Sequence, residues 1–564
     1  MKVIVVGGVA GGMSAAARLR RLREDAEIVV LERGEYVSFA NCGLPYHLAG
    51  EIVDRERLLV QTPASLAAAL DLDVRTRHEV TAIDRDARQV SVSTPDGEQR
   101  LPYDVLLLAP GAKAIVPPLP GLDHPAVRTL RTVPDVDALK AVVDAGARSA
   151  VVVGAGFIGL EAAEALRHRG LAVTLVELAD QVLAPLDPEM AAPVEAELRA
   201  RGVDVRLGAA MTGVRVTGRA SALEVDLTTG DPAPADLVLL AIGVRPETTL
   251  ATDAGLDVDD RGAIVVDEHG VTSDTAIYAV GDAVAVRHRV TGATGPVPLA
   301  GPANRHGRAA ADLVLLAIGV WPETTLAPVS GTAIVRVFDV VAASTGLSEK
   351  ALRAAGIAHH AVHLHPHQHA GYYPGATQVH LKLLFAPDGR VLGAQATGAD
   401  GVDKRIDVLA TALHAGLTVW DLAELDLAYA PPFGSAKDPV TMAGYLAGNV
   451  LAGQVRLWYP ADLDDAAVVP ADAVLLDVRS DAEAESGRLP GALVVPHTQL
   501  RERLAEVPRG VPVRVYCASG LRSYLASRVL LQEGWDDVRT LSGGLLTLRA
   551  ARPGLVLEAP VSAG

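Results

Sequence analysis

An α/β fold with two doubly wound nucleotide-binding sheets, followed by further α/β domains, is predicted by three observations in this 564-residue sequence. Two stretches each run a β-branched strand into a glycine-rich loop, a small-residue helix and a second strand closed by a glutamate. A third stretch, late in the chain, sets a cysteine between a buried strand and a helix start. The length calls for several cores: at roughly 100–200 residues per domain, about three to five domains are expected.

Composition narrows the partners. A formal net charge of −17 disfavours nucleic acid and anionic membrane, because both repel an acidic surface. No signal-peptide pattern precedes the first strand, and no apolar run reaches the roughly 18–20 residues a membrane span needs, so a cytoplasmic protein is expected. Two cysteines far apart make no disulfide framework, and a reducing compartment keeps both as thiols.

The first nucleotide fold begins with residues 3–6 and turns through Gly7, Gly8, Val9, Ala10, Gly11 and Gly12 into a helix. Glycines at 7 and 12 permit the turn and close helix packing, while Val9 stands where the middle glycine is usual. Glu32 closes the next strand about 20 residues on, where a carboxylate accepts hydrogen bonds from ribose hydroxyls. The intervening helix carries Arg18, Arg20, Arg21 and Arg23, a face suited to a phosphorylated substrate.

Soon after comes Ser38-Phe39-Ala40-Asn41-Cys42-Gly43-Leu44-Pro45-Tyr46-His47. Gly43 and Pro45 fit a tight turn into a helix, which puts Cys42 within reach of a bound dinucleotide. A helix N-terminus or a cationic neighbour is expected to lower its pKa and populate the nucleophilic thiolate. Residues 103–111 then form a buried strand and a turn leading out of this domain.

The second fold runs from residues 150–153 into Gly154-Ala155-Gly156-Phe157-Ile158-Gly159, with Glu177 closing its second strand. All three glycines are present, and an acid at 177 without an adjacent arginine favours NADH over NADPH. A strand at 237–243 follows, and residues 272–282 form a strand that ends in Gly281-Asp282.

These two fingerprints with the 272–282 motif resemble the FAD-dependent pyridine nucleotide-disulfide oxidoreductases over residues 1 to about 450. The resemblance implies FAD in the first fold, NADH or NADPH in the second, and Asp282 against the flavin's ribityl chain; Arg33 and Ala300 join the implied cofactor contacts. The implied layout is FAD-binding 1–110 and 251–330, NAD(P)H-binding 111–250 and an α+β dimerisation domain at 331–448. Two-cysteine relatives carry a second cysteine five positions after the first, where this chain has His47. Residues 38–46 instead resemble the single-cysteine coenzyme A disulfide reductases. That implies Cys42 as redox nucleophile, with Ser14, Arg18, Arg21, Ser38 and Asn41 as coenzyme A contacts. It also implies a homodimer with shared active sites, in which Tyr372 and Tyr429 reach the other subunit's cysteine and Lys437 touches substrate. Phe433 departs from the pattern, since many relatives have tyrosine there.

Residues 311–327 repeat residues 235–251 with one change, Arg245 to Trp321. A helix through Leu316 is expected, and no structure is assigned to 317–330. His363, His365, His367 and His369 alternate and would share a face of a strand, but Pro366 interrupts it and no cysteine or carboxylate accompanies them, so no metal site is assigned. Residues 449–460 read as a linker. Beyond it, Asp477, Arg479, the Cys517-Ala518-Ser519-Gly520-Leu521-Arg522 loop and Gly543-Gly544 follow in the order of a rhodanese domain, placed at 456–556. Main-chain amides around Cys517 would stabilise a thiolate or persulfide, with Arg522 adding positive charge.

The expected function is FAD-dependent NAD(P)H reduction of coenzyme A disulfide or persulfide through Cys42, fused to sulfur transfer at Cys517. Two alternatives stand beside it: a single-cysteine NADH oxidase or peroxidase cycling through a sulfenic acid, and a redox sensor or scaffold that retains only sulfur transfer.

Overall fold

The structure, a computed structural model, describes residues 1–217, 222–317, 319 and 325–558. They form two compact units, Met1–Asp180 with Arg199–Gly331, and Gln181–Leu198 with Thr332–Gly564.

In the first unit, a parallel sheet orders Ile277–Ala279, Val105–Leu108, Lys2–Val6, Glu27–Glu32 and Asp73–Thr76. Its central strands are nearly all valine, isoleucine and leucine because helices or loops cover both faces. The chain leaves Lys2–Val6 at Gly7, whose φ is +102° and where a Cβ would lie 2.2 Å from the Ala109 carbonyl oxygen. Only glycine fits such a turn. It enters the helix Ala10–Leu22, in which a Cβ at Gly12 would lie 1.9 Å from the Gly7 oxygen.

A second parallel sheet repeats the device, ordering Asp204–Arg206, Ala172–Val176, Ser149–Val153, Leu237–Leu240 and Val127–Arg128. Gly154 has φ +104°, and a Cβ at Gly159 would again sit 1.9 Å from the oxygen of the loop's first glycine. The helix Ala300–Ala317 packs Leu313, Val314 and Leu315 against Met13, Ala16 and Leu19 of Ala10–Leu22. The repeated segment is therefore helical through Ala317; residues 318 and 320–324, Trp321 among them, lie outside the described residues.

The second unit holds an antiparallel sheet ordered Ala333–Val337, Val340–Gly346, Val391–Gly398, Val379–Phe385 and His360–Leu364. It also holds a parallel sheet ordered Leu457–Trp458, Val538–Leu541, Val513–Tyr516, Val474–Asp477 and Leu493–Val494. Residues 449–460 are not a linker. The helix Pro439–Leu451 runs through their start, and Leu457–Trp458 supplies the edge strand of the last sheet, with Trp458 wholly buried.

Residues 181–198 group with this unit because of a buried ion cluster. The Lys382 ammonium, 1% exposed, lies 2.9 Å from Asp187, 2.5 Å from Glu189 and 2.6 Å from Glu349. Burial alone would lower the Lys382 pKa, but the three carboxylates outweigh it and raise it. Removing the lysine would leave uncompensated buried charge, a loss of about 3–5 kcal/mol. Nor do the alternating histidines share a face: the strand stops at Leu364 before Pro366. His363 spans Glu189 (3.1 Å) and the Ser542 hydroxyl (2.9 Å), while His365 sits 2.6 Å from His380.

Candidate functional site

Cys42 lies in a single 3₁₀ turn, Asn41–Gly43, that leads into the short helix Leu44–Ala49 with Pro45 in its first turn. The approach is strained: Ser38 has φ +45°, a region non-glycine residues seldom occupy, and its amide donates to the Gly8 carbonyl (2.9 Å). The strand-loop-helix of the nucleotide fold thus fixes the cysteine turn directly.

The electrostatics of Cys42 run opposite to the expectation. The thiol is solvent-accessible, yet the protein packed beside it, and after that the Glu161 and Asp282 carboxylates, push its pKa up. A six-residue helix offers little dipole to offset them. Tyr46 donates to Glu161 (3.2 Å). Asp282 is itself raised by burial, which outweighs the Arg131 guanidinium 3.4 Å away. The Asn41 side-chain amide donates to the Arg131 carbonyl (3.1 Å), so Asn41, Cys42, Arg131 and Asp282 form one group. Glu161, Tyr46 and Arg131 were not singled out in the sequence. An acid in the first turns of the second nucleotide helix was the one available signal.

The substrate arginines divide. Arg18 is paired with Asp312 at 2.8 Å and Arg21 is exposed. Arg20 is buried and spends its guanidinium on the carbonyls of Leu70, Arg23, Glu24 and Asp71, and Arg23 lies past the helix end, bound to Asp25. Only Arg18 and Arg21 therefore remain as substrate candidates on this helix. The Ser14 hydroxyl donates to Asn304 (2.7 Å).

Both nucleotide loops fit a dinucleotide. Glu32 is held by the amides of Gly8 (2.8 Å) and Gly34 (2.7 Å), and Glu177 by those of Ala155 (2.7 Å) and Ala179 (2.9 Å). Each carboxylate is thereby aimed while keeping lone pairs for ribose hydroxyls. Val9 and Gly156 are the N-caps of helices that carry neither a capping side chain nor an acid in the first turn. Their amides stay available to a pyrophosphate. A Cβ at Gly156 would meet nothing within 4 Å, which leaves open space above that loop. Gly281 has φ +83°, Arg33 is exposed and 3.9 Å from Glu247, and Ala300 begins its helix.

In the second unit the Tyr372 and Tyr429 hydroxyls are 3.2 Å apart, with the side chains exposed by 76% and 48%. Their shared hydrogen bond raises the Tyr372 pKa. Phe433 and Lys437 are exposed nearby in sequence to Tyr429, and Asp438 caps the helix Pro439–Leu451.

Cys517 follows the strand Val513–Tyr516 and precedes the helix Leu521–Gln532. It is buried, accepts the Gly520 amide at 3.1 Å and lies 3.5 Å from the Ser523 hydroxyl. Asp477 and Arg479 form a buried bidentate pair at 2.6–3.1 Å. Arg522 divides its positive charge: its guanidinium interacts with the Cys517 sulfur, and its two terminal nitrogens sit 2.6 and 2.7 Å from the Glu483 carboxylate. That bridge holds the Glu483 pKa down to about 2. Glu483 was not singled out in the sequence; the Ser480-to-Glu483 spacing is a helix-start signal, but nothing in it marks a partner of Arg522.

Residues 1–307 match the pyridine nucleotide-disulphide oxidoreductase family, residues 332–439 its dimerisation domain, and residues 458–551 the rhodanese-like domain. The coenzyme A disulfide reductase of Staphylococcus haemolyticus is 37% identical over 456 residues, 80% of this chain and 100% of that protein. Among solved structures, reduced Bacillus anthracis CoADR-RHD is similar with a TM-score of 0.94 and 44% identity, covering 99% of each chain. The NAD-dependent persulfide reductase from A. fulgidus aligns with a TM-score of 0.89 and 38% identity, over 97% of this chain and 100% of that one.

Proposed function

We propose a function from one premise: the chain belongs to the pyridine nucleotide-disulphide oxidoreductases, in their coenzyme A disulfide reductase branch. It is an FAD-dependent NAD(P)H oxidoreductase acting on coenzyme A disulfide or persulfide, fused to a rhodanese domain. The observation that carries the reading is a single accessible thiol, Cys42, on the turn next to the first nucleotide loop, with Asp282 beside it. The other cysteine is buried in a separate domain.

Bound FAD would supply the two-electron chemistry between NAD(P)H and sulfur. Gly7, Gly8, Gly11, Gly12 and Glu32 would hold it, and Gly154, Gly156, Gly159 and Glu177 the nicotinamide dinucleotide. The Cys42 thiolate attacks one sulfur of coenzyme A disulfide, forming a Cys42–S–S–CoA bond and releasing one coenzyme A thiolate. Two electrons then break that bond, restoring Cys42 and releasing the second thiolate. With coenzyme A persulfide the same two electrons and one proton give coenzyme A and hydrosulfide. Arg18, Arg21, Ser14, Ser38, Asn41 and Lys437 are the substrate contacts in this reading, and Arg18 must exchange Asp312 for a substrate phosphate. Tyr372 and Tyr429 of a second copy of the chain protonate the leaving thiolate, so the working unit is a homodimer. Among the described residues no helix is long and apolar enough to cross a membrane, which supports a cytoplasmic enzyme.

The test is NADH and NADPH oxidation by the holoenzyme with coenzyme A disulfide, coenzyme A persulfide, peroxide and oxygen, before and after Cys42→Ser. Sulfur-dependent turnover should fall at least ~10³-fold, the scale of removing a nucleophile. Retained turnover, or faster consumption with oxygen than with either sulfur substrate, would overturn the assignment.

A further inference from the structure

The Cys517 loop, residues 517–522, has Arg522 as its one cationic side chain, and that guanidinium is shared between Glu483 and the Cys517 sulfur. Both of its terminal nitrogens are bound to Glu483 at 2.6 and 2.7 Å. Glu483 cannot swing away freely, because it is the N3 residue of a capping box: the Ser480 hydroxyl donates to it at 2.9 Å, and the Ser480 amide at 3.2 Å. The other arginine of the site, Arg479, is buried and spends itself on Asp477 and on the carbonyls of Glu483 and Gly487. The two guanidiniums around the sulfur loop are thus matched one for one by carboxylates, and Glu483 offsets the positive charge that Arg522 turns towards an anion at the sulfur. A sulfur loop of this composition treats differently charged donors differently, because a dianion needs a cationic surround that a neutral or singly charged donor does not.

We propose that Glu483 is a specificity-determining residue of the Cys517 site, selecting organic hydropersulfides over the thiosulfate dianion as sulfur donor. The inference rests on the reading of Cys517 as the sulfurtransferase nucleophile. With a hydropersulfide, the Cys517 thiolate attacks the terminal sulfur, a Cys517–S bond forms, the donor S–S bond breaks, and a thiolate leaves with the electron pair. With thiosulfate the same attack gives the Cys517 persulfide anion and sulfite, so both reactants and the departing group carry negative charge into a site whose positive charge is already offset. Glu483 does not touch the sulfur; it acts by offsetting Arg522, which faces it.

The experiment measures thiocyanate formation by the full-length holoenzyme, with cyanide as acceptor and either thiosulfate or cysteine hydropersulfide as donor. Glu483→Gln keeps the capping-box hydrogen bonds and removes the charge. It should raise kcat/KM for thiosulfate at least ~10-fold, through KM, and leave the hydropersulfide within ~3-fold. Arg522→Gln, which leaves Glu483 uncompensated, should move thiosulfate the other way by at least ~10-fold and the hydropersulfide less. Opposite signs for one donor are not produced by misfolding, and melting curves with flavin absorbance check the fold of each variant. Thiosulfate turnover unmoved by Glu483→Gln, or both donors shifting together in both variants, would overturn the proposal while leaving Cys517 as nucleophile. Absence of hydropersulfide turnover in the unaltered protein would remove Cys517's role and the proposal with it.

Discussion

The two cysteines invert the usual equation of exposure with readiness. Cys42 is open to solvent, yet the protein packed beside it, and after that the Glu161 and Asp282 carboxylates, raise its pKa. Cys517 is buried, yet an amide points at its sulfur and a guanidinium lies beyond it. One site leaves its thiol to be activated by what binds there; the other builds the anion's surroundings into the backbone. The difference teaches that a local motif fixes where a sulfur is, while the charges that tune it arrive from distant parts of the chain.

The largest break in this comparison comes from the sulfurs themselves. Cys517→Ala should abolish sulfur transfer to cyanide and leave NADH-dependent coenzyme A disulfide reduction intact, the mirror of Cys42→Ser; steady-state rates of both reactions on both variants check it. Backbone sensitivity comes next. At Gly544, with φ +64°, a Cβ would lie 2.6 Å from the Cys517 carbonyl oxygen and 2.7 Å from that of Ala518. At Gly43 the contact is the end of a flexible side chain, Leu58 Cδ2 at 2.9 Å. Gly544→Ala should therefore cost about 1–3 kcal/mol and most of the transferase activity, and Gly43→Ala less in stability with coenzyme A disulfide reduction retained, as read from melting curves and the two assays.

A smaller effect tests the electrostatics of Cys42. Glu161→Gln removes one of the carboxylates that raise its thiol, so the pH profile of Cys42 alkylation by iodoacetamide should move to lower pH. The smallest concerns Glu483. Its folded pKa of about 2 lies below the roughly 4.3 of a free glutamate, so the bridge to Arg522 contributes stability above that value and loses it as pH falls towards 2. Because the pair is partly exposed, the contribution is within about 1 kcal/mol. Glu483→Gln should flatten the acid limb of the rhodanese domain's unfolding, followed by fluorescence of the buried Trp458 and Trp535 against pH.

Much of the architecture was legible because its determinants are local. Gly7 and Gly154 must take positive φ, Gly12 and Gly159 must pass against a carbonyl, and Glu32 and Glu177 close the next strands; glycine spacing and β-branched runs carry that information within some 30 residues. The sites were legible as positions, Cys42 before a helix and Cys517 between strand and helix, but not as environments. Arg522 and Glu483 lie 39 residues apart, and no periodicity links them. Arg20 shared a helix with Arg18 and Arg21 but is drawn inward by four carbonyls. The supposed linker hid Trp458 because two residues are too few to show a strand pattern.

The repeated segment draws the boundary most sharply. Alone, the heptapeptide Ala-Asp-Leu-Val-Leu-Leu-Ala specifies an apolar stretch to be buried, and its centre is buried in both copies, Leu237–Leu240 in the first and Leu313–Leu315 in the second. Its first copy is built around the strand Leu237–Leu240, paired to Ser149–Val153 and Val127–Arg128, with Asp236 accepting the Arg148 and Ser149 amides. The second, residues 311–317, completes the helix Ala300–Ala317, with Asp312 on Arg18. Burial was decided by composition. Strand or helix was decided by the neighbours, since flanking strands satisfy backbone groups in one place and a preceding helical turn in the other, and a difference in propensity of a few tenths of a kcal/mol per residue cannot compete with either.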